Sequence, residues 1–235
     1  FWCFILLFCF STSFQFIYTK EECFRAAVYE SVLIKDKYVW LKQEEFKHLE
    51  VYNFVAKQAA KNGSQTIVFP EHGLAKYYDR NKMYQYSEEV TNEKAKTKTI
   101  RSKTNSTKTK LYCKRYVANM VEVEFCSPNQ QGCPSDGRFQ YKTAIAFDSN
   151  GTILTKYRKY HLFGEIDLFN KPNKQEFSTF DTPFGKFGML ICFDSLFKDP
   201  KSGLIEEHGA STFTMPTWWY SLVNLNPDTC FSLIT

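Results

Sequence analysis

The chain has 235 residues, 43% of them hydrophobic and 17% aromatic, with 30 Lys and Arg against 25 Asp and Glu. That length supports one sizeable core or at most two small domains, and the apolar content is ordinary for a globular protein. The net charge of +5 excludes little by itself, because seven basic residues and one acid fall between Glu93 and Lys110, and the rest holds 23 basic residues against 24 acidic ones. The excess describes one Lys/Thr-rich loop, read as solvated, with heparin-like or phosphate binding as the minor alternative. No nucleic-acid partner is expected.

Residues 1–19 carry no charge, and Phe1 to Phe10 is an unbroken apolar run. The run is too short to span a bilayer as a helix and fits the apolar core of a secretory signal peptide whose start precedes Phe1. The alternative is a buried N-terminal strand. The expected organisation is a leader over 1–19 and a single domain over 20–235. A secretory route favours disulfides. Cys126 and Cys133 flank SPNQQG, a turn-rich loop whose ends can meet, and are paired on that ground. Asn62, Asn105 and Asn150 each open an Asn-x-Ser/Thr triplet, so they are candidate glycosylation sites of an extracellular protein.

Phe24 to Ile34 reads as the first strand of the domain. Gln43 to Lys61 has apolar residues at helical spacing, and Asn62-Gly63 ends that helix. Thr66 to Phe69 is a short apolar run expected of a strand covered on both faces, stopped by Pro70. Tyr77 to Lys110 reads as the least structured part. Tyr116 to Phe125 and Phe139 to Phe147 are strands. Asp148 to Gly151 is a hairpin turn, and Thr152 to Tyr157 is the return strand. Phe177 to Thr182 and Lys186 to Ile191 flank Pro183-Phe184-Gly185 as another hairpin. Cys192 follows, where strand gives way to a short helix. Ser202 to His208 is a helix, and Thr212 to Met215 is a strand ended by Pro216. Helices alternate with strands while hairpins also occur, so the class is α/β with mixed sheets.

Three chemically distinct residues fall at strand ends: Glu71, Lys159 and Cys192. Ligands gather at the carboxyl ends of strands in α/β sheets. A thiolate is the reactive form of cysteine, and backbone N–H groups at a helix start lower a thiol's pKa. Glu71 as base, Lys159 as cation and Cys192 as nucleophile form a coherent acyl-transfer set. Residue type alone leaves the bland readings open. A Glu after Pro is commonly a solvated turn residue, a Lys in a basic run is commonly surface, and a buried free Cys is commonly inert packing. His161 beside Lys159 offers a Cys–His alternative. There is no Gly-rich nucleotide loop, no GxSxG elbow and no Cys/His set at zinc spacing, so neither cofactor nor metal is expected.

FPEHGL around Glu71, KYRKYHLFGE around Lys159 and FGKFGMLICFD around Cys192 resemble, in order, the three motifs of the nitrilase superfamily. CSPNQQGCPSDGRFQYKTAIAFDSNGTILTKYRKYHLFGE, ICFDSLFKDP and MPTWW resemble its vanin and biotinidase branch. The resemblance implies a four-layer α-β-β-α sandwich, here incomplete at the C-terminus. It implies a Glu71–Lys159–Cys192 triad with Glu165 assisting and positioning Lys159. The implied substrate is a small-molecule amide of a vitamin conjugate such as pantetheine or biocytin. The branch is secreted or membrane-anchored, glycosylated and disulfide-bonded, and an anchor would lie in the missing C-terminal part. Two departures stand out: His72 replaces an acidic residue that the branch usually carries after the glutamate, and the helix before Tyr116 is shortened. The changed region after Glu71, together with the missing C-terminal part, motivates a second reading, a catalytically inactive secreted glycoprotein of this branch that acts by binding.

Overall fold

The computed structural model describes residues 3–8, 24–29, 31–32, 43–74, 79–90, 115–218, 229–230 and 232–234. In chain order the strands are β1 (Cys3–Phe8), β2 (Phe24–Tyr29), β3 (Ser31–Val32), β4 (Thr66–Val68), β5 (Ser87–Glu88), β6 (Arg115–Phe125), β7 (Arg138–Asp148) and β8 (Ile153–Arg158). They continue with β9 (Thr179–Thr182), β10 (Gly185–Met189), β11 (Thr212–Pro216), β12 (Thr229–Cys230) and β13 (Ser232–Ile234). Helices α1 (Gln43–Lys61), α2 (Arg80–Tyr84) and α3 (Lys201–Glu206) are joined by a 3-10 turn at Cys192–Leu196.

One sheet runs β1-β2-β4-β6-β7-β8, with β5 also paired to β6; a second runs β13-β11-β10-β9. Both are mixed. β2, β4 and β6 are parallel, while β6, β7 and β8 form an antiparallel meander. β10 lies parallel to β11 and antiparallel to β9. Residues 3–8 form β1, which pairs antiparallel with β2.

Strand alternation explains the layers. Residues of one parity in the first sheet, among them Ala27, Ile67, Tyr116, Ala118 and Ile145, pack with Tyr52, Val55, Ala56 and Ala59 of α1. Those four helix positions recur at i, i+3, i+4 and i+7, one face of a 3.6-residue period. The opposite parity, Phe24, Ala26, Val68, Val117, Ala144 and Ala146, packs with Phe180, Phe187, Met189 and Ile191 of the second sheet region. On that sheet's outer side Leu190, Ala210 and Met215 pack with Leu204 of α3. The order is therefore helix, sheet, sheet, helix, the four layers that the motifs implied.

The expected elements are present, most of them shifted at their ends by one or two residues. α1 has the expected bounds and ends as expected. Gly63 at φ +79° lets the amides of Gly63 and Ser64 return to the carbonyls of Ala60 and Ala59 at 2.9 Å. Of the expected first long strand, Phe24 to Ile34, the structure describes β2 and β3, and residues 30, 33 and 34 lie outside the described residues. The stretch read as least structured contains α2, capped by Asp79 Oδ1 accepting from Lys82 N at 2.9 Å, and β5. Both are too short to carry a periodic signal. The basic loop at 93–110 and Asn105 lie outside the described residues. Among the described residues no helix is long and apolar enough to cross a membrane.

Candidate active site

Glu71 lies in the turn beyond β4, and Pro70 before it supplies no amide to continue the ladder. Phe69 N still donates to the β6 carbonyl of Val117 at 2.9 Å, so the turn leaves the sheet from a fixed point. His72 follows at φ +56°, its amide donating to Asn119 Oδ1 at 3.2 Å. Lys159 comes directly after β8, and its amide donates to the Lys142 carbonyl of β7 at 2.8 Å. Cys192 opens the 3-10 turn with φ +44°, a left-handed conformation that is uncommon for a residue bearing a Cβ. Asp194, fully buried, ties two of these segments together. Its Oδ1 accepts from His161 N at 2.8 Å and its Oδ2 from Ile191 N at 3.2 Å.

The structure brings the sequence-derived residues into one cluster. Lys159 Nζ donates to Glu71 Oε1 at 2.8 Å and lies 3.4 Å from both Glu165 oxygens. Trp218 spans the other side. Its amide donates to Glu71 Oε2 at 3.2 Å, and its carbonyl accepts from Cys192 Sγ at 3.8 Å. Glu71, Lys159, Glu165 and Cys192 are all buried.

Two further residues belong to the cluster. Lys142, in mid-β7, is 1% exposed; its Nζ donates to Glu71 Oε1 at 3.0 Å and contacts Glu165 Oε1 and His72 Nε2. His72 Nε2 lies 3.3 Å from Glu165 Oε1. The sequence carried a faint signal for Lys142. In FQYKTAIAF it shares the parity of Ala144 and Ala146, which face the second sheet, so the strand pattern puts its ammonium on the buried side. Asn119, of the same parity as Val117 in β6, faces the same side.

The electrostatics are those of a closed ion-pair network. Burial alone raises the Glu71 carboxyl, but the ammonium groups of Lys142 and Lys159 outweigh it and hold it at about 2. Burial likewise works against Glu165, where His72, Lys142 and Lys159 keep it well below the usual carboxylate range. Burial opposes the charge on Lys159 too, yet Glu71 and Glu165 raise it above the ordinary lysine value. Lys142 is lowered by burial, which Glu71 only partly offsets. His72 is pushed down to about 4, first by burial and then by Lys142, so its ring is neutral at pH 7.

The Cys192 thiol differs from the expectation of a lowered pKa. Burial and the negative charge of Glu71 push it up to about 12, against a smaller lowering by Lys159. A five-residue 3-10 turn offers too little dipole to offset these. The resting group is a thiol that donates to the Trp218 carbonyl, with the negative charge of Glu71 close enough to disfavour its ionisation.

His161 is engaged elsewhere. Its Nε2 pairs with the Asp199 carbonyl at 3.0 Å, and its ring stacks on Phe197 at 3.7 Å. Glu71, His72 and Glu165 offer ligand atoms within 4.8 Å of one another, but the Lys142 and Lys159 nitrogens already pair with both carboxylates. Cys126 and Cys133 are disulfide-bonded, closing the loop between β6 and β7. Arg80 fastens that region to the Glu165 loop, donating to Asp136 Oδ2 at 2.7 Å, to the Arg138 carbonyl at 2.7 Å and to the Leu168 carbonyl at 3.1 Å.

A helix-sheet-sheet-helix sandwich with a thiol, a carboxylate and an ammonium meeting at one rim defines an α/β protein with a cysteine-centred site. The carbon-nitrogen hydrolase family profile matches residues 33–211, and the chain belongs to that family. It is 36% identical over 220 residues to a pantetheinase of Mus musculus, covering 86% of this chain and 43% of that protein. It is 34% identical to a biotinidase of Takifugu rubripes, covering 87% of this chain and 45% of the relative. The chain thus spans under half the length of these relatives. Among solved structures, Nit3 of Saccharomyces cerevisiae, a member of branch 10 of the nitrilase superfamily, aligns with a TM-score of 0.54 at 22% identity, over 76% of this chain and 60% of that one. An amidase from Nesterenkonia sp. AN1, with acrylamide added at its active-site cysteine, aligns with a TM-score of 0.52 at 16% identity, over 76% of this chain and 63% of that one. These two likenesses show the fold.

Proposed function

We propose that this chain is the catalytic portion of a secreted amidase that hydrolyses the non-peptide amide of a vitamin conjugate such as pantetheine or biocytin, through a Cys192 thioester. The observation that supports it is the meeting of Glu71, Lys159 and Cys192 in a buried cluster of a carbon-nitrogen hydrolase fold. Glu71 takes the thiol proton as Cys192 Sγ attacks the amide carbon. Lys159 stabilises the thiolate and then the oxyanion of the tetrahedral adduct. Collapse expels the amine, which leaves with the proton held by Glu71. Glu71 next takes a proton from water, the hydroxide attacks the thioester, and the acid departs as the proton returns to sulfur. General-base assistance typically contributes about 10²–10⁴-fold, and an oxyanion donor about 10²–10³-fold. Glu165 assists by orienting Lys159.

The substrate class rests on the pantetheinase and biotinidase relatives. The extracellular address rests on the apolar leader, the Cys126–Cys133 disulfide and the exposed turns bearing Asn62 and Asn150. Incubation of the full-length protein with pantetheine or biocytin should release cysteamine or biotin. Cys192→Ala should abolish release while leaving the unfolding transition in place. Absence of turnover on both substrates favours the alternative, an inactive secreted glycoprotein that acts by binding. Doubly paired Glu71 and the raised thiol are the observations that favour that alternative.

A further inference from the structure

Lys142 has no part in the chemistry above, yet it is among the most deeply buried charges of the chain and touches both carboxylates of the cluster. Burying an ammonium costs several kcal/mol unless it is paired and hydrogen-bonded, so such a residue inside a site calls for a reason. Its position is fixed from two sides. It sits in mid-β7 between β6 and β8, and its own carbonyl holds the Lys159 amide. Its nitrogen lies over the Phe169 ring, 5.2 Å from the centroid. Lys142 and Lys159 donate to the same oxygen, Glu71 Oε1.

We propose that Lys142 is a positioning residue of the site. It fastens Glu71 and Glu165 into one four-charge cluster with Lys159, and it thereby governs how readily Glu71 accepts the Cys192 proton. The groups facing Glu71 are Lys142 from β7, Lys159 from beyond β8, His72 from its own turn, Glu165 from the following loop and Cys192 from the 3-10 turn. With His72 neutral, the two ammoniums balance the two carboxylates. Lys159 alone would leave one negative charge in excess and Glu71 a stronger base. Lys142 therefore keeps Glu71 ionised and oriented, and it weakens Glu71 as a proton acceptor towards the thiol. This inference rests on the reading of Glu71 as base.

The test uses full-length protein carrying ¹³C-labelled glutamate carboxyls. Infrared titration of wild type, Lys142→Met, Lys142→Arg and Glu71→Gln identifies the Glu71 signal by its loss in the last variant. In the wild type Glu71 should remain ionised at pH 4. In Lys142→Met it should protonate about one pH unit higher or more, and Lys142→Arg should restore much of the difference. The pH midpoint of iodoacetamide labelling at Cys192, read on the isolated peptide by mass spectrometry, should shift in Lys142→Met as well. A Glu71 titration and a labelling midpoint unchanged in Lys142→Met overturn the proposal. Should Lys142→Met fail to fold, the wild-type titration decides: Glu71 protonating at pH 4 or above overturns it. These readings need no turnover. A shifted Glu71 in a protein that hydrolyses neither amide removes the functional reading alone. Hydrolysis with an unmoved Glu71 removes this one alone.

Discussion

His72 shows how a single residue couples the site to acid stability. Its ordinary value of 6.5 falls to about 4 in the fold, through burial and then Lys142. Between those values the unfolded chain binds a proton that the folded chain refuses. The stability it contributes is therefore complete above pH 6.5 and is lost as pH falls towards 4. Asp194 has the opposite sign. Burial, partly offset by the His161 amide, raises it from 3.8 to about 6, so it gains a proton on folding and adds stability as pH falls through that window. Comparing wild type with His72→Asn cancels the Asp194 effect. Urea unfolding at pH 7 and pH 4 should show the wild type losing on the order of 3 kcal/mol relative to the variant over that interval. A pH-independent difference would contradict the neutral, buried ring.

The turn after β4 and helix α1 form the element on which Glu71 depends. Tyr52 of α1 stacks on Phe69 with ring centroids 3.9 Å apart, which fixes its hydroxyl beneath the turn. A Cβ built at Gly73 would stand 1.7 Å from that hydroxyl and 3.1 Å from Pro70 Cγ. Gly73→Ala should cost about 1–3 kcal/mol of stability by overpacking and should lower turnover by displacing Glu71. Adding Tyr52→Phe should recover part of the loss, and a double-mutant cycle by urea unfolding checks it. Much at this scale was legible in the sequence. Alternation, helical spacing and Gly or Pro punctuation located most of the elements that carry Glu71, Lys159 and Cys192. Lys142 was harder to read, because a Lys within an alternating strand looks like a solvent-facing residue until the partner sheet covers that face. The raised thiol was hidden for a similar reason: chain position reveals a helix start, whereas burial and the approach of Glu71 arise only on folding.

For the whole molecule, the space between the two sheets is the decisive region. Phe187, fully buried, meets Phe24 at 5.4 Å and Phe180 at 5.4 Å between ring centroids. This aromatic knot joins β2 of one sheet to β9 and β10 of the other, and Cys192 belongs to the same packed cluster. Phe187→Ala should cost about 3–5 kcal/mol. Set against an ordinary stability of about 5–15 kcal/mol, that removes much of the margin. A lowered urea midpoint, with Cys192 newly reactive to iodoacetamide at neutral pH, would show that the sheets hold the thiol in its sheltered setting. Retained protection after the change would place that shelter in the local turn instead.

The left-handed backbone at Cys192 has a consequence for how such a chain changes over generations. Side chains with a Cβ hold that conformation at a cost of roughly 1–2 kcal/mol, which glycine escapes. Glycine gives back only about 0.4–1 kcal/mol through the greater freedom of its unfolded chain. Selection for durability alone would therefore drift this position towards glycine, and the sulfur would be lost. With Cys192 as the proposed nucleophile, folding and chemistry pull this position in opposite directions.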